Sequence, residues 1–367
     1  MSGYDLIIVG GGLAGSAAAI TVLQTASQAR ILVLERGAYP RHKVCGEFVS
    51  PEGMAALERL LGAAQASLLA SQSPPITHAN IRVDGRVLSA PVRPPAASIT
   101  RFDLDFALWQ QAKKLGAECR EKSPVLKVKG SGPFEISAEQ EKISARALIN
   151  AAGRWSIFTQ SRIKSSNSVN DSKWIGLKSH FAETASSGTI DLYLFDGGYC
   201  GVQPVAHGRV NACAMVRADS AVTLSDVCAL HPELQERSQR WTPLMEAITT
   251  SPLYFCDPLP IENSVFNAGD AAGFIDPFVG DGMTLALHSG MLAGEALMPF
   301  LSKQCDIAGA AESYTYEYKT RLLPAFRRAR WIRKMITLPV GLRVPLAHLI
   351  RITGTTETLL KATRIAS

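Results

Sequence analysis

The sequence predicts an α/β fold in which a parallel sheet flanked by helices is joined by a second, mixed or antiparallel sheet and a C-terminal helical tail. Three observations lead to this class. The first 35 residues have the pattern of strand, glycine-rich turn, helix and strand. The middle of the chain carries short stretches of alternating apolar and polar residues, which are typical of half-buried strands. Near residue 270 another strand ends in a Gly-Asp pair, and an apolar helix follows.

The N-terminal segment indicates a Rossmann-like dinucleotide-binding unit. The apolar run Tyr4 to Val9 predicts a buried strand, and residues 10–15 have the spacing G-x-G-x-x-G. An alanine-rich helix is expected from Leu13 to about Ser27, and residues 31–35 predict a second strand that ends in an acid. A glycine-rich turn alone is a common chance pattern. The strand, helix and acid around this one favour nucleotide binding.

Each motif residue of this unit has a physical role in nucleotide binding. Gly10 permits the tight turn, Gly12 lets a pyrophosphate approach the backbone, and Gly15 lets the helix pack closely on the strand. The helix N-terminus offers unpaired N–H groups to phosphate oxygens. Glu35 is expected to accept hydrogen bonds from ribose hydroxyls and to repel a 2′-phosphate, which favours FAD or NAD over NADP.

A later motif separates FAD from NAD. Residues 266–273 end a strand with Gly269-Asp270, and residues 277–283 open an apolar helix predicted over Thr284 to Leu297. These segments resemble the FAD-dependent monooxygenases of the para-hydroxybenzoate hydroxylase fold, most of all their geranylgeranyl reductase and flavin-dependent halogenase-like branch. The resemblance implies that Asp270 hydrogen-bonds the ribityl chain of FAD. It also implies that the segment containing Pro277, Gly280, Gly282 and Met283 runs alongside the flavin ring.

Three further segments resemble the same family. Arg101 begins a helix predicted to reach about Leu115, with Asp103 as its N-cap, and in the family this arginine approaches the cofactor; an exposed helix-start residue is the alternative. Residues 147–156 resemble the strand that returns to the nucleotide domain, although a plain turn at Gly153 is equally compatible. Residues 41–47, Arg-His-Lys-Val-Cys-Gly-Glu, resemble a loop that lies under the flavin ring, and a covering surface loop is the alternative.

These matches define the predicted site. The cofactor-binding residues are expected to be Gly10, Gly12, Ala14, Gly15, Glu35, Arg36, Lys43, Cys45, Arg101, Gly269, Asp270, Pro277, Gly280, Gly282 and Met283. The candidates for positions near the reactive face of the flavin are Cys45, Gly46, Glu47 and Tyr199. No catalytic residue is assigned among them, and Cys45 is interpreted as a packing residue.

The domain prediction is discontinuous. The FAD-binding domain is expected to comprise residues 1–75, 99–170 and 263–300, the substrate domain residues 76–98 and 171–262, and the C-terminal helical region residues 301–367. Strands are predicted at Thr189 to Phe195 and Val210 to Val216, with a turn at Gly197-Gly198. Residues 198–204 lack the tryptophans of the tryptophan halogenase box and any matching lysine, which disfavours halogenation. Tyr199 either lines the pocket or packs in the core.

The resemblance implies an oxidoreductase, most directly a monooxygenase in which O₂ adds at the flavin C4a carbon and oxygen passes to an apolar or aromatic substrate. A C=C reductase of the geranylgeranyl reductase type is the alternative. A non-catalytic lipid- or prenyl-binding protein is a remoter one, because proteins of that kind lack the intact phosphate loop and Gly-Asp site. No second G-x-G-x-x-G unit is present, so NAD(P)H is expected to bind transiently or to be replaced by a partner reductase.

Composition sets the remaining expectations. Seven cysteines without CxxC spacing and seven dispersed histidines favour a reducing, cytoplasmic setting with neither disulfides nor a metal site. Ten basic residues and one acid follow residue 320, so this tail carries a charge of +9. Since the net charge of the whole chain is +6, the residues before the tail carry −3. With only Phe326 and Trp331 as aromatics, the tail is not expected to bind nucleic acid. It either contacts a membrane surface peripherally or caps the domain as a packed helix. No apolar run reaches the ~18 residues of a membrane span, no signal peptide is recognised, and the oligomeric state is left open.

Overall fold

The computed structural model describes residues 3–139, 141–155, 173–184, 188–336 and 338. It confirms the predicted α/β class, with two sheets and helices packed around the first of them. The strands are β1 (Tyr4–Val9), β2 (Ile31–Leu34), β3 (Phe48–Val49), β4 (Ile76–Val83), β5 (Arg86–Ser98), β6 (Glu118–Arg120), β7 (Val125–Lys129), β8 (Phe134–Ala138), β9 (Glu141–Asn150), β10 (Trp174–Ala182), β11 (Thr189–Phe195), β12 (Gly198–Ala206), β13 (Arg209–Arg217), β14 (Thr242–Pro243), β15 (Ile248–Leu253), β16 (Ile261–Glu262) and β17 (Val265–Asn267).

The α-helices follow the same chain order. They are α1 (Leu13–Thr25), α2 (Pro51–Leu61), α3 (Ala63–Ala70), α4 (Arg101–Lys114), α5 (Leu224–Ala229), α6 (Pro232–Ser238), α7 (Gly282–Leu301), α8 (Ile307–Glu317) and α9 (Leu323–Ile336). Short 3₁₀ turns lie at Gly153–Trp155, Gly269–Ala271 and Pro277–Val279, and a π-helical turn at Tyr318–Leu322 joins α8 to α9.

The first sheet has a parallel centre. Its strand order is β16-β17-β9-β1-β2-β6, with every neighbouring pair parallel except β16 and β17. β1 is apolar from Leu6 to Val9 and buries both faces there. Leu6 and Ile8 pack among the helices, whereas Ile7 and Val9 pack under the β7–β8 hairpin. Such continuous apolar runs are what a strand covered on both faces requires.

Helices α1 and α7 pack on each other through small residues. A Cβ placed on Gly290 would lie 2.1 Å from the carbonyl oxygen of Ala14, and one on Gly294 would lie 3.0 Å from that of Ala18. Every residue from Leu13 to Leu23 is buried, because α1 lies between the sheet, α4 and α7. The late helix therefore completes the core around the N-terminal unit.

The second sheet has the order β14-β10-β13-β12-β11-β4-β5-β3, and β15 also pairs with β10. It is mixed, because β4 and β11 run parallel while the other pairs are antiparallel. The strands predicted at Thr189 to Phe195 and Val210 to Val216 are β11 and the centre of β13. β3 also belongs to this sheet, whereas Ile261–Glu262 belongs to the first.

One face of the second sheet changes from polar to apolar along its strands. Residues directly opposite on β10, β13 and β12 form cross-strand rows on this face. The rows are His180, Asn211 and Gln203; then Lys178, Cys213 and Gly201; then Gly176, Met215 and Tyr199. This face is the one turned toward the loop of residues 41–47, because Asn211 and Lys178 both bond to that loop.

The described part of the basic tail packs on the domain. Ala325, Phe326 and Ala329 of α9 are buried in the main core, while Trp331 is 54% exposed. Arg333 lies over the ring of Phe255 with 3.4 Å to its centroid. This agrees with the packed-cap alternative for the helix itself, and the rest of the tail, residues 339–367, lies outside the described residues. Within the described ranges, no helix is long and apolar enough to cross a membrane.

Candidate cofactor and substrate site

A cavity of about 670 Å³ lies between the two sheets. Apart from Gly15, every residue predicted for the site lines it, from Gly10 at the first turn to Met283 at the start of α7 and Tyr199 on the second sheet. Gly15 has the packing role expected of it, since a Cβ there would lie 1.8 Å from the carbonyl oxygen of Gly10. Cavities of this size are typical of small-molecule sites.

The two glycine motifs meet at this cavity although they are more than 250 residues apart in the chain. Gly10 has φ +101°, and a Cβ on it would lie 2.4 Å from the carbonyl oxygen of Ala151. Gly269 has φ +62°, and a Cβ on it would lie 3.0 Å from the Cβ of Ala14. Neither position tolerates a side chain, so bare backbone lies where both turns come together. The N–H groups of the two glycines are bonded within the fold, to the carbonyl of Leu34 and the hydroxyl of Ser289, each at 2.8 Å.

Glu35 is already bonded on both carboxylate oxygens. Oε1 accepts from the N–H of Gly37 at 2.9 Å and from Arg41 at 2.8 Å, and Oε2 accepts from the N–H of Gly11 at 3.1 Å and from the hydroxyl of Tyr39 at 3.3 Å. Burial alone would raise the pKa of Glu35, but Arg41 and the Gly37 N–H lower it below its ordinary value. A ribose hydroxyl would have to share these lone pairs or replace one of the partners.

Two cations share one buried carboxylate beside the first turn. Asp105 is fully buried and is bonded by the guanidinium of Arg101 at 2.9 Å through Nε and Nη2, and by the ammonium of Lys43 at 2.5 Å. Burial raises the pKa of Asp105, but Arg101 and Lys43 outweigh it, so that the carboxyl stays ionised. The group carries a net positive charge, and the Lys43 ammonium is the nearest atom, at 3.3 Å, to a Cβ placed on Gly12.

The prediction of Asp103 as the N-cap of α4 is wrong. Thr100 is the N-cap, and its hydroxyl accepts a hydrogen bond from the N–H of Asp103 at 3.1 Å. Asp103 therefore lies three residues inside the helix, where an acid also favours the helix dipole. Because the helix begins at Arg101, the i,i+4 spacing brings Arg101 and Asp105 together.

The other end of the cavity is aromatic. The ring of Tyr199 meets that of Phe278 edge-on at 5.2 Å, and its hydroxyl, which is buried, has no hydrogen-bond partner among the described residues. Tyr199 both lines the cavity and packs in a core cluster, so the two alternatives for it coincide. Asp270 lies 3.6 Å from Arg154, whose guanidinium covers the ring of Phe274 at 4.3 Å.

The loop of residues 41–47 is held to the second sheet by Glu47. This residue has φ +62° and is fully buried, and its carboxylate accepts from the N–H of Arg101 at 2.9 Å, from His180 at 2.8 Å and from Lys178. Lys178 is itself fully buried and also donates to the carbonyl of Lys43 at 3.3 Å. Burial raises the pKa of Glu47, whereas His180 and Lys178 lower it and prevail. The structure thus places this flavin-proximal candidate in an ion-pair cluster.

His42 completes this cluster. Its ring meets that of His180 edge-on at 5.2 Å, and its buried Nδ1 has no partner in the described part of the chain. One ligand-type atom of each of His42, Glu47 and His180 lies within 4.8 Å of the others, a grouping that the dispersed histidines of the sequence did not predict. The Lys178 ammonium already compensates the carboxylate, so we interpret the group as an ion-pair cluster and assign no metal to it.

All seven cysteines are free thiols, and Cys45 and Cys213 both line the cavity. Burial raises the pKa of the Cys213 thiol to about 12, which keeps it protonated and unreactive. The Cys45 sulfur accepts a hydrogen bond from the N–H of Glu47 at 3.3 Å, a local contact that shapes the loop.

Sequence reasoning missed Lys178, His180, Asp105 and Arg41. Two signals were available. Asp105 stands four residues after Arg101 on one helix face, and Lys178 and His180 stand two positions apart, so they share one face of a strand whose only other polar residue is Ser179. Arg41 and His42 carry no such pattern. Ser156, the last residue of the predicted returning segment, lies outside the described residues.

Comparison of the sequence with known proteins gives distant but extended similarities. No protein-family profile matches the chain. A menaquinone reductase of Mycobacterium tuberculosis is 25% identical over 332 residues, covering 80% of this chain and 76% of the relative. A geranylgeranyl diphosphate reductase of Rhodobacter capsulatus is 28% identical over 341 residues, covering 86% and 81%. A tryptophan 2-halogenase of Chondromyces crocatus is 36% identical over 58 residues, which is 16% of this chain and 11% of that protein.

Solved structures share the fold over nearly the whole chain. A geranylgeranyl bacteriochlorophyll reductase-like protein from Thermoplasma acidophilum has a TM-score of 0.77 at 22% identity, covering 99% of this chain and 96% of that one. A flavin-dependent brominase has a TM-score of 0.76 at 19% identity, covering 98% and 94%. The chain therefore has the fold that flavin-dependent halogenases and geranylgeranyl reductase-like proteins share, as the sequence motifs predicted.

Proposed function

We propose that this chain is a FAD-dependent oxidoreductase that acts on a largely apolar substrate. The observation that carries the proposal is the cavity that joins the Gly10 turn, the Gly269-Asp270 turn and the inner face of the second sheet. The relatives named above that cover most of the chain are reductases, and the solved structures include proteins described as flavin-dependent. The motifs and the comparisons thus support the same cofactor class.

The chemistry of the site fits FAD. A pyrophosphate at Gly12 would meet the Lys43 ammonium, with the Arg101 guanidinium beside it and the N-terminus of α1 behind it. Glu35 would face the adenosine ribose, in exchange for part of its present bonding to Arg41 or Tyr39. When bound, FAD would supply the electron-transfer chemistry, while the chain binds, orients and shields the reactants.

Reduction of a C=C bond is the first candidate reaction. The similarity to menaquinone reductase and geranylgeranyl diphosphate reductase extends over 80% and 86% of the chain. The substrate side of the cavity is largely apolar, with Leu192, Leu253 and Phe278 among its lining residues. An apolar wall excludes water and holds an isoprenoid-like chain without a penalty for unpaired polar groups.

Monooxygenation of a bound ring compound is the second candidate, and a different observation favours it. On β12 the inner positions after Tyr199 are Gly201 and Gln203, which lack the bulk of an aromatic box and include a polar amide. In either case the reductant is NAD(P)H bound transiently, or a partner reductase.

The purified protein tests the proposal in two steps. The expected first result is visible flavin absorbance, or its recovery after soaking with FAD; a colourless protein that takes up no flavin would remove the proposal. The loaded protein is then reduced chemically without oxygen and given an isoprenoid quinone or geranylgeranyl diphosphate. A product that stays two hydrogens heavier after any quinol has been reoxidised in air identifies the C=C reductase. Substrate-dependent oxygen consumption with NADPH that yields an aromatic product one oxygen atom heavier identifies the monooxygenase.

A further inference from the structure

A buried amide faces the substrate side of the cavity with one of its polar atoms unused. Gln203 is 1% exposed and lines the cavity on the inner face of β12. Its Nε2 donates to the hydroxyl of Ser98 at 2.5 Å, and its Oε1 has no hydrogen-bond partner within the described residues. A buried carbonyl oxygen without a donor costs about 1–3 kcal/mol, so its place in the wall calls for a ligand.

The hydrogen bonds of Ser98 fix which end of the amide faces which way. The Ser98 hydroxyl donates to the carbonyl of Glu47 at 3.4 Å, so its oxygen is left to accept from Gln203. An amide turned the other way would compete with Glu47 for the single hydroxyl proton. Oε1 is therefore the atom left for another donor.

The surroundings of Gln203 define the shape of the group that would bind there. Gly201 is the next inner residue on the strand, and Tyr199 is the one after it. With a rise of ~3.3 Å per residue, the Cα atoms of Tyr199 and Gln203 lie about 13 Å apart along the strand. One small ring is therefore too short to bond both the Tyr199 hydroxyl and the Gln203 amide. Gly201 leaves bare backbone between them, with Leu192 and Cys213 directly opposite on the neighbouring strands. The Leu192 side chain forms one edge of this space, since its Cδ2 would lie 3.2 Å from a Cβ on Gly201.

We propose that Gln203 is a specificity-determining residue that accepts a hydrogen bond from a hydroxyl on a planar ring, with the ring seated over Gly201 and an apolar chain extending toward Tyr199 and Phe278. The substrate class is then a phenol with an apolar substituent. This inference rests on the proposed function only in taking the cavity for the substrate site. A polar group placed in an apolar wall discriminates strongly against analogues that lack its partner.

Binding of two probes that differ in one hydrogen-bond donor tests the inference. The probes are para-octylphenol and its methyl ether, titrated by calorimetry into the FAD-loaded wild type, Gln203→Leu and, as a control, Gln110→Leu on the exposed face of α4. The wild type and the control are expected to bind the phenol about tenfold more tightly than the ether, and Gln203→Leu to bind both about equally. FAD content and melting temperature are measured on each protein first.

The outcomes separate this inference from the proposed function. Equal affinity of the wild type for phenol and ether overturns the inference without need of any variant, as does a preference for the phenol that survives in Gln203→Leu. A Gln203→Leu protein that loses FAD affinity and keeps its preference for the phenol would show that the amide serves the cofactor, which also overturns it. Failure of every protein to bind FAD contradicts the proposed function, and the comparison of the probes on the FAD-free protein still decides the role of Gln203.

Discussion

Replacement of Lys178 by methionine is expected to destabilise the protein strongly. Lys178 and Glu47 are both fully buried, and Glu47 would retain only the N–H of Arg101 and the ring of His180 as donors. Breaking a buried pair by removing one partner costs about 3–5 kcal/mol, because an uncompensated charge is left in the interior. At roughly 2.1 cal/mol/K of unfolding entropy per residue over 367 residues, the melting temperature would fall by about 4–6 °C.

The double variant carries the sharper test. Glu47→Gln alone leaves the Lys178 ammonium without a counter-charge and is expected to cost a similar amount. The combination of Lys178→Met with Glu47→Gln removes both charges of this buried pair, and the new amide oxygen can still accept from Arg101 N–H. The double variant should therefore be less destabilised than the sum of the two singles by about 2 kcal/mol or more.

Denaturant unfolding of the four proteins measures these free energies. Lys142→Met is the matched control, because Lys142 pairs with Glu135 at 3.7 Å on the surface with 70% of its side chain exposed, and its loss should cost at most ~0.5 kcal/mol. Additive single effects, or a Lys178→Met variant as stable as the control, would refute the reasoning that the pair is desolvated and mutually dependent.

Three other predictions follow from the site. Glu35→Ala should lower the ratio of bound flavin to protein without unfolding the chain, although the N–H of Gly11 and the hydroxyl of Tyr39 lose a buried acceptor; an unchanged absorbance ratio would contradict its role. Gly10→Ala should lose flavin and melt several degrees lower, because its φ of +101° and a carbonyl 2.4 Å away exclude a Cβ; wild-type flavin content would count against it. Stability should fall as the pH drops below about 6.5, because burial lowers the pKa of three histidines so that the unfolded chain takes up protons first; urea midpoints that rise on acidification would reverse the sign. The histidines are His42, His231 and His288.

The parts of the site that could be predicted are those encoded by contiguous residues. The turn at Gly10, the acid at Glu35 and the Gly269-Asp270 turn each carry their chemistry within a few positions, so strand, turn and helix patterns sufficed to place them. The cluster of Glu47, Lys178 and His180 could not be predicted this way, because its members come from a loop and a strand that meet only through the tertiary fold.

The errors have similar physical causes. Residue type favours Asp103 as the N-cap, but Thr100 precedes the helix and its hydroxyl accepts the hydrogen bond from the free N–H of Asp103. Helix α7 extends to Leu301, beyond the predicted Leu297, and contains Pro299 in its last turn. Pro299 has no N–H to donate to the carbonyl of Glu295, so the sequence predicts an end before it, whereas the helix continues for two more residues.

The close packing of α7 on α1 has a consequence for biosynthesis. Strand β17 and helix α7 lie some 250 residues after the N-terminal unit, yet they supply the neighbour of β9 and the small-residue face against Ala14 and Ala18. During translation the apolar surface of the first strands therefore stays exposed until this late segment leaves the ribosome. Much of the second sheet, by contrast, consists of consecutive hairpins, which can form earlier. A nascent chain released before residue 282 would lack the helix that closes its first core, and it would be a substrate for chaperones or proteases.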